Sequence, residues 1–211
     1  MVVMINCSFR GEKSNSNYFL GLLETQLDVP CERIHLAKMK DMEELRDKLS
    51  DADAIVLGMP LYVDGVPAQT MALMEALYEK KARVQKTQCV YVVTNLGFYE
   101  SRQAEILLAI VRNWCVKMGM EYGGGLSIGA GEMLGGLRNV PMNQGPNKEM
   151  GEGLRRLAVH IKAGTVMEDV YTEPTGFSRR MYRLAADMNW APKAKKHGVK
   201  RKQIRARRGC I

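Results

Sequence analysis

The sequence predicts an open, doubly wound α/β sheet, and three observations carry that expectation. Apolar runs rich in β-branched residues alternate five times with segments in which apolar residues recur every three or four positions. The runs are nearly continuous, the pattern of strands buried on both faces of a parallel sheet. At 211 residues the chain is long enough for one packed core of this kind and an appendage.

Taken in order, the strand-like runs are VVMINC (2–7), RIHLA (33–37), AIVLGM (54–59), CVYVVTN (89–95) and LSIGA (126–130). Helical patterns occupy 15–27, 40–50, 67–83 and 100–119, the last marked by Ile106, Leu107, Ile110, Val111 and Trp114. A fifth helix is expected over 148–165, after the loop GGLRNVPMNQGPN, and a further amphipathic segment over 176–191, after the turn-like TEPTG. Right-handed crossovers between parallel strands then make a five-stranded sheet with helices on both faces, of flavodoxin-like or Rossmann-like order. The expected division is a domain over 1–170 and a helical extension with a basic tail over 171–211.

The formal charge of +8 is unevenly spread. Residues 192–211 hold nine Lys and Arg and no acid, which leaves residues 1–191 near −1. Such a tail can contact an anionic partner, nucleic acid or membrane, with strong salt dependence, or simply be solvated. No run reaches the roughly 18 apolar residues of a membrane span, and the start lacks the features of a signal peptide, so a cytoplasmic protein is expected. The five cysteines are scattered without a CxxC pair, which argues for reduced core thiols and against a disulfide framework or a metal site.

In a doubly wound sheet the ligand crevice lies beyond the carboxyl ends of the strands, so the loops after the first, third and fourth strands belong together. The first, NCSFRGEKSNSNYF, brings Ser8, Arg10, Ser14, Asn15 and Ser16 to a helix N-terminus, where hydroxyls, an amide and unpaired N–H groups suit a phosphate. A plain Ser/Asn cap would need only one such residue. Neither GxGxxG nor GxxxxGK[ST] is present, so a phosphate monoester fits better than a dinucleotide or a triphosphate, and flavin mononucleotide (FMN) is the leading ligand. In the second loop, GMPLYVDGVPAQ, Pro60 ends the strand, Tyr62 precedes a turn at Asp64 and Gly65, and Pro67 marks the next helix. Tyr62 could lie along a planar heterocycle or be packed in a tight turn. The third loop, TNLGFYES, repeats a polar end, a glycine and two aromatics.

These loops, together with GFYE at 97–100 and GGGLSIGAGEML at 123–134, resemble the flavodoxin-like NAD(P)H-dependent oxidoreductases that bind FMN. The ending FSRRMYRLAADMNWAPKAKKHGVKRKQI resembles the C-terminal extension of some bacterial members. The resemblance implies that Ser8, Arg10, Ser14, Asn15 and Ser16 surround the FMN phosphate. It implies that Pro60, Leu61, Tyr62 and Val63 line the ribityl chain and one edge of the flavin ring, and that Thr94, Asn95, Leu96, Gly97 and Phe98 meet the other. Related iron–sulfur flavoproteins carry a cysteine cluster that is missing here.

The resemblance further implies an enzyme passing reducing equivalents from NAD(P)H through FMN to a small acceptor such as a quinone, a flavin or a nitro or azo compound. It also implies a homodimer or higher homo-oligomer, with no metal. The alternative is a flavodoxin-type electron-transfer protein working between protein partners. No catalytic side chain is expected, because the flavin carries the chemistry. His35, His160 and His197 share no visible neighbourhood and read as structural. The glycines of GAGEMLG lie after the fifth strand with no following acidic strand end, so they read as a substrate-side loop or a close-packed edge rather than a second nucleotide site.

Overall fold

The computed structural model describes residues 1–39, 42–79, 88–200 and 203. Two compact units make up the chain, Met1–Thr175 and Gly176–Ile211. The division falls five residues beyond the expected one, because the segment after 170 still belongs to the sheet.

The first unit is built on strands β1 (Val2–Asn6), β2 (Cys31–His35), β3 (Ala54–Pro60), β4 (Cys89–Asn95), β5 (Glu121–Ile128) and β6 (Val170–Thr172). All pair in parallel, in the order β2-β1-β3-β4-β5-β6. This is the flavodoxin-like order with one strand added at the edge, so the expected five strands become six. Three residues, only one of them buried, carry too little periodicity to be read from sequence, which is why β6 escapes notice. The order reverses between β1 and β3, and the crevice opens above that point.

Helices α1 (Asn15–Glu24), α2 (Met42–Ser50), α3 (Ala68–Glu79), α4 (Glu105–Met118), α5 (Gly131–Gly136) and α6 (Lys148–Ala163) follow the strands. The core has two layers. Val3, Ile5, Leu57, Val90 and Val92 pack with Leu45, Leu73 and Leu107 on one face. Met4, Val56, Tyr91 and Val93 pack with Phe19, Leu20 and Leu154 on the other. Successive residues of β1, β3 and β4 thus alternate between layers, as a strand buried on both sides must.

Several boundaries move for physical reasons. β5 begins at Glu121, five residues earlier than expected, because Gly123, Gly124 and Gly125 hide a strand whose missing side chains are replaced by Tyr91 and Leu108 from neighbouring elements. The start of the fourth helix, Ser101–Ala104, is a 3₁₀ turn. The expected helix ends at 40–41 and 80–83 lie outside the described residues. In the second unit α7 (Arg179–Lys196) is capped by Ser178, runs through Pro192, and buries none of its residues. Of the tail cations, Arg201, Lys202, Arg205, Arg207 and Arg208 lie outside the described residues, as does Cys210. Among the described residues no helix is long and apolar enough to cross a membrane, and no His/Cys/Asp/Glu group could hold a metal ion.

Candidate functional site

The loop between β1 and α1 is organised from below by Asn6, which is fully buried at the end of β1. Its Nδ2 donates to Gly11 O at 2.8 Å, and its Oδ1 accepts from Ser8 N at 3.2 Å. Ser14 caps α1: its Oγ accepts from Asn17 N at 3.1 Å and donates to Gly11 O at 2.7 Å. The next two N–H groups, on Asn15 and Ser16, belong to the first turn and have no intrahelical acceptor. No protein partner for them is found among the described residues. Ser16 Oγ accepts from Asn95 Nδ2 at 2.7 Å, which leaves the serine proton to donate elsewhere. Ser8 Oγ likewise accepts, from Arg10 N at 3.4 Å.

The loop after β3 is anchored where Leu61 N donates to Asn95 O at 2.9 Å. Tyr62 and Gly65 then exchange both backbone hydrogen bonds, at 3.2 and 3.0 Å. The turn therefore centres on Val63 and Asp64, one residue before the expected pair, with φ of +49° and +57°. Positive φ at both central positions is the requirement of a type I′ turn. A β-branched residue is disfavoured there, so the sequence puts the turn at Asp64 and Gly65 and not at Val63. Its side chain is 100% exposed and that of Tyr62 43% exposed, which removes the reading of Tyr62 as a packed turn residue.

The loop after β4 is pinned to the one after β5. Gly131 N donates to Leu96 O at 2.7 Å, Ala130 N to Phe98 O, and Leu96 N to Ile128 O at 3.2 Å. Asn15 Nδ2 reaches across to Gly131 O at 3.2 Å. A Cβ on Gly135 would lie 2.3 Å from Asn15 Oδ1, and one on Gly129 2.2 Å from Tyr99 O, so Gly135 serves close packing against the first loop and Gly129 against the loop after β4.

One cleft of about 190 Å³ results. Ser8, Arg10, Ser14, Asn15 and Ser16 meet Pro60, Leu61 and Tyr62, and Asn95, Leu96 and Gly97, in its walls. Three expected residues stand apart from those walls. Val63 points to solvent, Phe98 is 58% exposed, and Thr94 is fully buried with a hydroxyl that has no hydrogen-bond partner among the described residues. The cleft also contains Glu132, from the first turn of α5, which sequence reasoning did not nominate although it sits in the GAGEML stretch. Asn6 was missed too, because a lone amide ending an apolar run gives no signal until its partners are in place.

The electrostatics suit a small anion. Arg10 provides a cation, and the N-terminus of α1 adds its dipole and two N–H donors. Glu132 is the opposing carboxylate. Beneath the loop, burial pushes the Cys7 thiol up to about 12, so it stays neutral and does not compete as an anion. A phosphate monoester presents three acceptor oxygens, and the loop offers unpaired backbone donors, two hydroxyls and a guanidinium, so the donor set fits that group.

Residues 1–122 match the family model described as NADPH-dependent FMN reductase. No curated protein matches the chain. Among solved structures, the chain is similar to an NADH:FMN oxidoreductase in its apo form, with TM-score 0.59 and 15% identity over 79% of this chain and 90% of that one. An azoreductase from Bacillus anthracis str. Sterne gives TM-score 0.53 and 15% identity over 77% and 98%. A flavodoxin of Streptococcus pneumonia TIGR4 gives 0.54 and 13% over 78% and 99%. At these identities the structural likenesses establish the fold.

Proposed function

The chain belongs to the NADPH-dependent FMN reductase family, and on that premise we propose that it holds FMN in the cleft above β1, β3 and β4. There it would pass reducing equivalents from NAD(P)H to a small acceptor, such as a quinone, a flavin or a nitro or azo compound. The observation that carries the proposal is the pair of unpaired N–H groups on Asn15 and Ser16, set beside Ser8, Ser16 and Arg10 at one helix N-terminus. FMN held there would supply the redox chemistry, hydride acceptance and electron delivery.

The chain's own groups then bind and orient. The first loop holds the phosphate, with Ser14 acting through its cap on α1. Enclosed sites for drug-sized ligands run from roughly 300 to 1,000 Å³, so a cleft of about 190 Å³ would hold the phosphate and polyol, with the flavin ring met by the residues at its rim. Pro60, Leu61 and Tyr62 on one side, and Asn95, Leu96 and Gly97 on the other, form that rim. Val63 and Phe98 extend it as exposed apolar side chains that an acceptor or a second copy of the chain would cover. Thr94, buried below, supports the strand end rather than touching ligand.

The proposal includes a homodimer or higher oligomer, a cytoplasmic setting, and a basic tail that engages an anionic partner. Steady oxidation of NAD(P)H with quinone, flavin, nitro or azo acceptors, in the absence of any protein partner, is the expected result. Turnover only when a partner protein is supplied would favour the electron-transfer alternative. Ser16→Ala should weaken FMN more than riboflavin, which lacks the phosphate. Equal losses for the two flavins would remove the phosphate from this loop.

A further inference from the structure

His35 reads as structural in the sequence, but the fold sets it against the first loop of the cleft. The register pairs it with Asn6 across β1 and β2, and its Nδ1 lies 3.0 Å from Asn6 Nδ2. The orientation of that amide is dictated by its other contacts. Gly11 O can only accept, so the atom 2.8 Å from it is the NH₂; Ser8 N–H can only donate, so the atom 3.2 Å from it is the oxygen. The second amide hydrogen therefore points at His35 Nδ1, which must carry a lone pair. The imidazole is neutral, with its proton on Nε2.

Resting on the assignment of the FMN phosphate to this loop, we infer that Asn6 is a positioning residue for the phosphate loop and that protonation of His35 loosens FMN by withdrawing the acceptor that Asn6 faces. A protonated imidazole has no lone pair to offer. Asn6 then either keeps its donor against an N–H, or flips and abandons Gly11 O and Ser8 N, the two contacts that shape the loop. Gly11 O also receives Ser14 Oγ, so the disturbance reaches the cap of α1. The loss of one such bond corresponds to about three- to tenfold in affinity.

Among the described residues the charged groups around His35 are Glu12 and Lys38, paired with each other at 2.5 Å, and Arg33 on the same strand. Burial is the main cause that holds the imidazole below its ordinary value of 6.5; Glu12 opposes this, and Lys38 and Arg33 reinforce it. The neutral form, and with it the intact loop, is thus present above that pKa and is lost as pH falls through it.

The test is the dissociation constant of FMN, read by quenching of flavin fluorescence between about pH 5 and 8, for the full chain and its His35→Asn variant. Asparagine places a neutral acceptor at the position of Nδ1 at every pH. The second ionisation of the FMN phosphate, near 6, weakens binding equally in both proteins, so their difference isolates His35. The expected result is an additional fall of about three- to tenfold at the acid end in the unaltered chain, absent from the variant. Superimposable curves, with FMN still preferred over riboflavin, would overturn this inference alone. Equal affinity for FMN and riboflavin would overturn the phosphate assignment and this inference with it.

A second readout requires no variant. By linkage, FMN should lower the midpoint of the His35 imidazole in an NMR titration of the unaltered chain. A raised midpoint would make His35 a distant cation that attracts the phosphate, the opposite of what is inferred.

Discussion

At the scale of single residues, the cleft depends on a few hydrogen bonds that substitution can remove one at a time. Ser14 caps α1 and braces Gly11, so Ser14→Ala should cost about 1 kcal/mol in urea denaturation and weaken FMN binding severalfold. Val63 holds a left-handed backbone with a fully exposed β-branched side chain. Val63→Asn should stabilise the chain by about 1 kcal/mol, because asparagine tolerates that conformation. If Val63 contributes to the rim, the same variant raises KM for the acceptor without changing FMN affinity. The thiols of Cys7 and Cys115, both pushed up to about 12 mainly by burial, should resist an aqueous disulfide reagent at pH 8 until the chain is unfolded. Many of these residues could be named from sequence because Ser, Asn and Arg crowd one helix start. Asn6 and Glu132 could not, and His35 reads only as structural, since their importance lies in partners that only folding supplies.

At the scale of elements, the sheet was legible wherever strands are long and fully buried, as β1, β3 and β4 are. It was not legible where side chains are missing or the strand is short. Tyr91 fills the space above Gly123, where an added Cβ would fall 2.4 Å from its ring, and its hydroxyl donates toward His160 O and Thr165 O, each at 3.0 Å. Such a strand is defined by its neighbour's bulk rather than by its own propensity. Packing of α1 on β3 is equally tight: a Cβ on Gly58 would lie 2.5 Å from Leu20, which has no exposed surface. Gly58→Ala should therefore cost about 1 to 3 kcal/mol by thermal denaturation, and because α1 carries the phosphate loop it should weaken FMN as well. Unchanged stability would mean that the α1 and β3 layer yields more easily than its burial indicates.

At the scale of the whole molecule, charge follows the division into units. Residues 176–211 hold twelve Lys and Arg and one acid, so they carry +11, and residues 1–175 carry −3 of the total of +8. The body, which contains the cleft, should therefore show redox kinetics with little salt dependence, while association of the full chain with an anionic surface should weaken steeply as salt rises. Flat binding across salt would leave the tail a solvated extension. The claim beneath all of these is that the chain binds FMN through its phosphate in the crevice of a flavodoxin-like sheet. It is tested most directly by the visible spectrum of the purified protein, with the released chromophore identified by mass. An oxidised-flavin spectrum and the mass of FMN are the predicted result; a colourless protein that takes up no added FMN, or one that yields a flavin without phosphate, would contradict the account.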